Sequence, residues 1–162
     1  MPHSFIELYG LVNEIKSNTW LGSSHDEAEE QSGTETAICL ITGEVMHAGR
    51  PDRQNQYSDR SLRQKPGNCT LFARKIGSGT GVFFMVQKCT VLLIHNNKSV
   101  YSPSLYVDEN GEEDYGLLRG RPLFLSEDRY RALDSLWRNH GVPREVARIR
   151  STADRILRDN WY

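Results

Sequence analysis

The sequence predicts an α+β fold: an N-terminal helix, a small antiparallel meander sheet and two C-terminal helices packed on one of its faces, joined by long polar loops. Three observations predict it. Apolar residues recur at helical spacing near both ends of the chain. Three strand-like runs, "VFFMVQ", "TVLLIHN" and "SVYSPSLYVD", follow one another from Val82 across short connections at Lys88-Cys89 and Asn96-Asn97-Lys98. A length of 162 residues suits one domain, and no run approaches the roughly 20 apolar residues that a spanning helix needs.

Phe5, Leu8, Tyr9, Leu11, Val12 and Ile15 predict an amphipathic helix over residues 1–17, opened by a capping box of Ser4 and Glu7. Residues 22–36 read as an acidic linker almost free of large apolar side chains, and "AICLITGEV" supplies a short strand region over 37–47. Residues 48–68 read as a mobile polar loop with two prolines and five basic residues. Residues 69–125 carry the meander and its turns. Val91 to Ile94 is continuous rather than alternating, so this strand should be covered on both faces. Residues 126–160 hold two helices: Ser126 precedes Glu127 and Asp128 in a first turn, Gly141 closes the first helix as its C′ residue, and Pro143 opens the second.

Charge narrows the partners. Twenty Lys and Arg against 21 Asp and Glu leave a net charge of -1, which offers no field for nucleic acid or an anionic membrane. The basic loop has Tyr57 as its only aromatic, poor for base stacking, so neither nucleic acid nor membrane is an expected partner. Cys39, Cys69 and Cys89 form no even disulfide set, and the first residues lack the basic start of a secretory signal; both favour a reducing compartment, the cytoplasm and with it the nucleus.

The glycine turn "GSGTG" is the first candidate for chemistry. A dinucleotide fingerprint needs a third glycine where Val82 stands, and a Walker loop needs a Gly-Lys pair that is absent. Gly77, Gly79 and Gly81 therefore read as conformational devices that allow positive φ and close backbone approach. Cys39 and Cys89 lie within apolar runs, where burial raises a thiol's pKa and opposes nucleophilic use. No catalytic residue is assigned. Cys39, His47 and Cys69 are suitable zinc ligands, but a closed site takes four and Thr42 stands where a Cys-x2-Cys pair would finish. No cofactor is expected, with zinc held by these weak remnant candidates as the lesser alternative.

The glycine turn, the Tyr-Ser-Pro-Ser segment from Tyr101, Tyr106 and Asp108, then Gly111, Glu112, Asp114, Gly116, Arg119, Gly120 and Pro122 occur in an order that resembles the C-terminal domain of the UBR-box E3 ubiquitin ligases, the N-recognins of the N-degron pathway. Many of those proteins have a Cys-x2-Cys-Gly zinc region before the glycine turn. The resemblance implies that this region is degenerate here, since Thr42 and Ile76 replace cysteines. It also implies a non-catalytic scaffold or autoinhibitory domain that works through protein contacts with other parts of a ligase or with ubiquitin-pathway proteins, because the RING and UBR-box frameworks that hold the E2 and read degrons do not occur in these residues. Two other readings stay open: a free-standing zinc or degenerate-zinc interaction module, and a cysteine-dependent ubiquitin-transfer enzyme. Tyr130, Trp137, Trp161 and Tyr162 are the candidate interface anchors. Glu112, Glu113 and Asp114 near Arg119 and Arg121 are expected to clamp the turn.

Overall fold

A computed structural model describes residues 1–20, 35–49 and 66–159, with side chains given to residue 18 in the first stretch and to residue 153 in the last. Most of the acidic linker 22–36 and of the polar loop 48–68, and the pair Trp161-Tyr162, lie outside the described residues; the described ends differ from the expectation, Thr36 opening a strand and Asn68 a helix. Helix α1 spans Phe5–Trp20. Its capping box is formed, the Glu7 N–H donating to Ser4 Oγ at 3.4 Å and the Ser4 N–H to Glu7 Oε2 at 3.3 Å.

Strands β1 (Thr36–Cys39), β2 (Val45–His47), β3 (Thr80–Met85), β4 (Thr90–His95) and β5 (Lys98–Ser102) form one antiparallel sheet in the order β2-β1-β3-β4-β5. Of the three runs expected to form the meander, the first two are β3 and β4, while the third is corrected: it divides after Ser102, so that only Lys98–Ser102 pairs with β4 and Tyr106–Val107 joins another sheet; the hairpin of β1 and β2 extends the first sheet. A second, two-stranded sheet pairs β6 (Tyr106–Val107) with β7 (Phe124–Leu125). Helices α3 (Glu127–Arg138) and α4 (Val142–Asp159) complete the α+β fold.

Alternation along the strands separates two cores. Ile38, Val82, Phe84, Val91, Leu93 and Val100 face one side, where they meet Phe5, Leu8 and Val12 of α1 and Val142 and Val146 of α4, with Leu133, Leu136 and Trp137 of α3 packed against them. Phe5, Phe84 and Tyr106 form the aromatic centre of this core, with ring centroids 5.5 to 6.4 Å apart. Ala37, Cys39, Phe83, Met85, Leu92 and Ile94 face the other side. β3 and β4 are thus buried on both faces, as the unbroken apolar run requires.

A helix covers that second face where the sequence reading placed loop and meander. Residues Asn68–Gly77 form helix α2, which buries Cys69 and Ala73 one turn apart and brings Phe72 against Phe83. The boundary of the meander at residue 69 is therefore corrected to 80. Helix formation wins here because the far side of β3 and β4 must be shielded, and Cys69, Phe72, Ala73 and Ile76 repeat with helical period.

The glycine turn joins α2 to β3 and divides its tasks differently from expectation. Ser78 ends α2 in the left-handed region at φ 52°, and Gly79 follows at φ 89°. Gly77 and Gly81 keep ordinary backbone, so of the two tasks expected of these glycines positive φ falls to Gly79. Gly81 supplies close approach: a Cβ there would sit 2.6 Å from the Phe83 ring and 2.9 Å from Ala73 Cβ. A second correction concerns α3. His140, at φ 55°, is its C′ residue, and the N–H groups of His140 and Gly141 reach back to the Trp137 and Leu136 carbonyls in a Schellman arrangement. Gly141 next to it packs closely on α3: a Cβ there would lie 2.7 Å from Leu136 Cδ1 and 3.3 Å from the Leu136 carbonyl oxygen.

Gly81→Ala should lower unfolding stability in urea by about 1–3 kcal/mol, the usual cost of overpacking a filled interior. Unchanged stability would contradict the packing of α2 on β3.

Candidate functional site

The segment from Asp108 to Arg121 joins the two strands of the small sheet, and charge holds it. Asp108 is 4% exposed. Its Oδ1 accepts the N–H groups of Asn110 and Glu112, both at 2.9 Å, an Asx-type turn that pre-forms the loop. Its Oδ2 faces Arg121 at 3.5 Å and Arg119 at 3.8 Å. The backbone donors, led by Glu112, and the two guanidinium groups keep the Asp108 carboxyl below the usual aspartate range, against the opposing effect of desolvation.

Asp114, equally buried, works through the backbone. Its carboxylate accepts the N–H groups of Arg119 and Gly120 at 3.0 to 3.1 Å. Glu112 pairs with Arg119 at 2.6 Å, while Arg119 also donates to the Glu113 carbonyl. Glu113 reaches Arg129 in the first turn of α3 at 2.5 Å, and the same guanidinium nitrogen donates to the Ser104 carbonyl at 2.9 Å. Gly111, Gly116 and Gly120 occupy left-handed positions in this loop. Arg129 was missed by sequence reasoning, although an arginine just after the acidic opening of α3 was a signal that it answers a neighbouring carboxylate.

The other candidates are placed as follows. Gly77 ends α2 beside Trp137, whose Cη2 lies 3.7 Å from where a Gly77 Cβ would be. Trp137 is half-buried against the larger core, whereas Tyr130 is 38% exposed on α3. Pro122 is exposed just ahead of the buried Leu123.

Cys39 and Cys69 share the smaller core with Ala37, Ala73, Phe83, Met85, Leu92 and Ile94. Burial, and after it the proximity of Cys39, pushes the Cys69 thiol up to about 12. Cys89 is raised by burial too, and its Sγ lies 3.4 Å from Ser104 Oγ. Burial lowers His47, with Lys16 nearby adding to the shift. Thr42 uses its hydroxyl to accept the Glu44 N–H in the β1–β2 turn. Cys39 and Cys69, both buried, and His47 are three side chains where a closed tetrahedral zinc site takes four. Among the described residues no group of three or more His, Cys, Asp or Glu side chains is placed to hold a metal ion.

A 430 Å³ cleft opens beside Cys69, lined also by Glu35, Met85, Lys88 and Tyr101. Lys88 bonds Glu35 at 3.1 Å and Tyr101 Oη at 2.7 Å, so its charge is already engaged. Among the described residues that line the cleft, Lys88 is paired and the Glu35 carboxylate raises the Cys69 thiol further, so neither activates it as a nucleophile.

The family model for "Proteolysis_6 C-terminal" matches residues 23–139, more than half of the chain. The chain belongs to the Proteolysis_6 C-terminal family. Its relatives include the E3 ubiquitin-protein ligase UBR1 of mouse, 36% identical over 153 residues, and of Drosophila melanogaster, 33% identical over 152 residues. These matches cover 93% and 94% of this chain but 8% of each relative. The E3 ubiquitin-protein ligase ubr-1 of Caenorhabditis elegans is 29% identical over 164 residues, 99% of this chain and 7% of that protein. The chain thus spans less than a tenth of the length of these relatives. The resemblance to UBR ligases read from the glycine turn and the Asp108–Pro122 segment is the family membership that the comparison finds.

Two outcomes check this Proteolysis_6 C-terminal site. The depressed Asp108 carboxyl stabilises the fold above the unfolded aspartate value near 4, about 3.9, and that contribution is lost as pH falls through its lower folded value. Asp108→Asn should therefore unfold more easily at pH 7 than wild type and show a shallower loss of stability on acidification; equal acid limbs would count against the clamp. At pH 8 the native Cys69 thiol should alkylate at least about a hundredfold more slowly than a free cysteine and react fully only on unfolding. Fast native labelling would show the thiol to be activated.

Proposed function

We propose that this chain is a non-catalytic interaction domain of an N-recognin ligase, which packs against the rest of the ligase and restricts access to its substrate sites. The observation that carries the reading is the asymmetry of the match: 93–94% of this chain corresponds to 8% of proteins named as E3 ubiquitin ligases. A segment of that size serves the ligase through contacts with the remainder. The buried thiols support the same reading against cysteine-dependent ubiquitin transfer, since a thioester acceptor needs an accessible thiolate. The cross-linked Asp108–Arg121 turn supports a rigid platform, because a surface held by several coupled contacts loses less entropy on docking than a free loop.

The test uses a UBR1-type ligase from which the segment shared with this chain has been removed. Adding the chain in trans should give a measurable complex and slow ubiquitylation of a substrate. Failure of the chain to bind, with ubiquitylation unchanged at every concentration, would overturn the reading.

A further inference from the structure

Helix α1 buries Phe5, Leu8 and Val12, leaves Ile6 largely exposed at 83%, and leaves Leu11, Ile15 and Tyr9 partly exposed at 49%, 45% and 42%, the Tyr9 ring 6.3 Å from that of Phe5. Scattered exposed apolar residues are ordinary, but four on one 16-residue helix leave it with apolar flanks on both sides of its outer face. A turn of 100° per residue sets Leu11 and Ile15 on one flank and Ile6 on the other. Gly10 lies between them, in a row with Glu7 and Glu14.

Gly10 is the odd residue. Glycine is the poorest helix former after proline, and this one sits exposed in mid-helix without left-handed backbone. An added Cβ would meet nothing within 4 Å. Gly77, Gly81 and Gly141, by contrast, all lie against neighbours inside the molecule. Among the described residues nothing makes use of the missing side chain at Gly10. A backbone approaching from outside would.

The geometry points to the outer face of α1 as the docking surface for a helix of the longer ligase chain, crossing at Gly10 with apolar side chains against Ile6 on one flank and Leu11 on the other and a basic side chain toward Glu14. This occupant rests on the docking role proposed above and assigns it a surface. Its source follows from the relatives, in which more than nine-tenths of the polypeptide lies outside the matched segment. Charge selects against a second copy of this chain, because a two-fold crossing at Gly10 would bring the Glu7 and Glu14 row against itself.

The experiment measures binding of the chain to the UBR1-type ligase lacking its matching segment, alongside the thermal midpoint and the oligomeric state of the free chain. Gly10→Ala should raise the midpoint while weakening binding, and Gly10→Leu should weaken binding by about tenfold or more, since a filled contact rejects added methylenes. Ile6→Ser with Leu11→Ser should weaken it as well. Wild-type binding that Gly10→Leu leaves undiminished would overturn this surface and leave the docking role standing. Absence of wild-type binding would overturn both, and a wild-type dimer that Gly10→Leu dissociates would assign the face to self-association instead.

Discussion

The double burial of β3 and β4 is the constraint on which the rest of this molecule depends. Phe83 and Phe84 point to opposite faces and are both fully buried, as are Leu93 and Ile94 to within 1%. Each such side chain withdrawn from water contributes roughly 1.5–3 kcal/mol, so neither face can be left open. Helices α1, α3 and α4 close one face and α2 the other. Gly81 then follows from geometry: α2 can reach β3 only where no side chain stands between Ala73 and the Phe83 ring.

The charged turn connects this core to the outer surface. Asp108 and Asp114 satisfy backbone donors inside the loop, and Arg129 ties the loop to α3 and to the Ser104 carbonyl. The loop returns the chain as Leu123, whose carbonyl accepts the Phe5 N–H, while Tyr106 Oη donates to the Pro2 carbonyl. The start of α1 is therefore positioned by the same network. An exposed ion pair contributes little alone, but Asp108 at 1% side-chain exposure is held by several partners at once, which makes the turn stiff and its neighbour α1 a fixed surface.

Much of this was legible in the residues. The capping box at Ser4 and Glu7, the meander, and the two C-terminal helices follow from local spacing and turn chemistry. Helix α2 was hidden because "NCTLFARKIG" is short, has no side-chain cap, and adjoins a glycine turn that reads as the start of a strand. Its Cys69-Phe72-Ala73-Ile76 period was the available signal. His140 was hidden for another reason: a Gly three residues past a helix suggests the left-handed residue, whereas here Gly141 keeps ordinary backbone close to Leu136 and its neighbour takes the unusual backbone. The turn's carboxylates and arginines were visible as a cluster, but which of them binds backbone and which binds charge is a matter of burial, and sequence carries no burial for Asp108 or Arg129.

Backbone hydrogen exchange, resolved by residue, tests the account most directly. Amides of β3 and β4 should exchange only through global unfolding and define the slowest set in the chain, with the buried turns of α1, α2 and α4 that cover them close behind. Rapid exchange in β3 or β4 while the C-terminal helices remain protected would mean that the sheet is not the element around which this molecule is built.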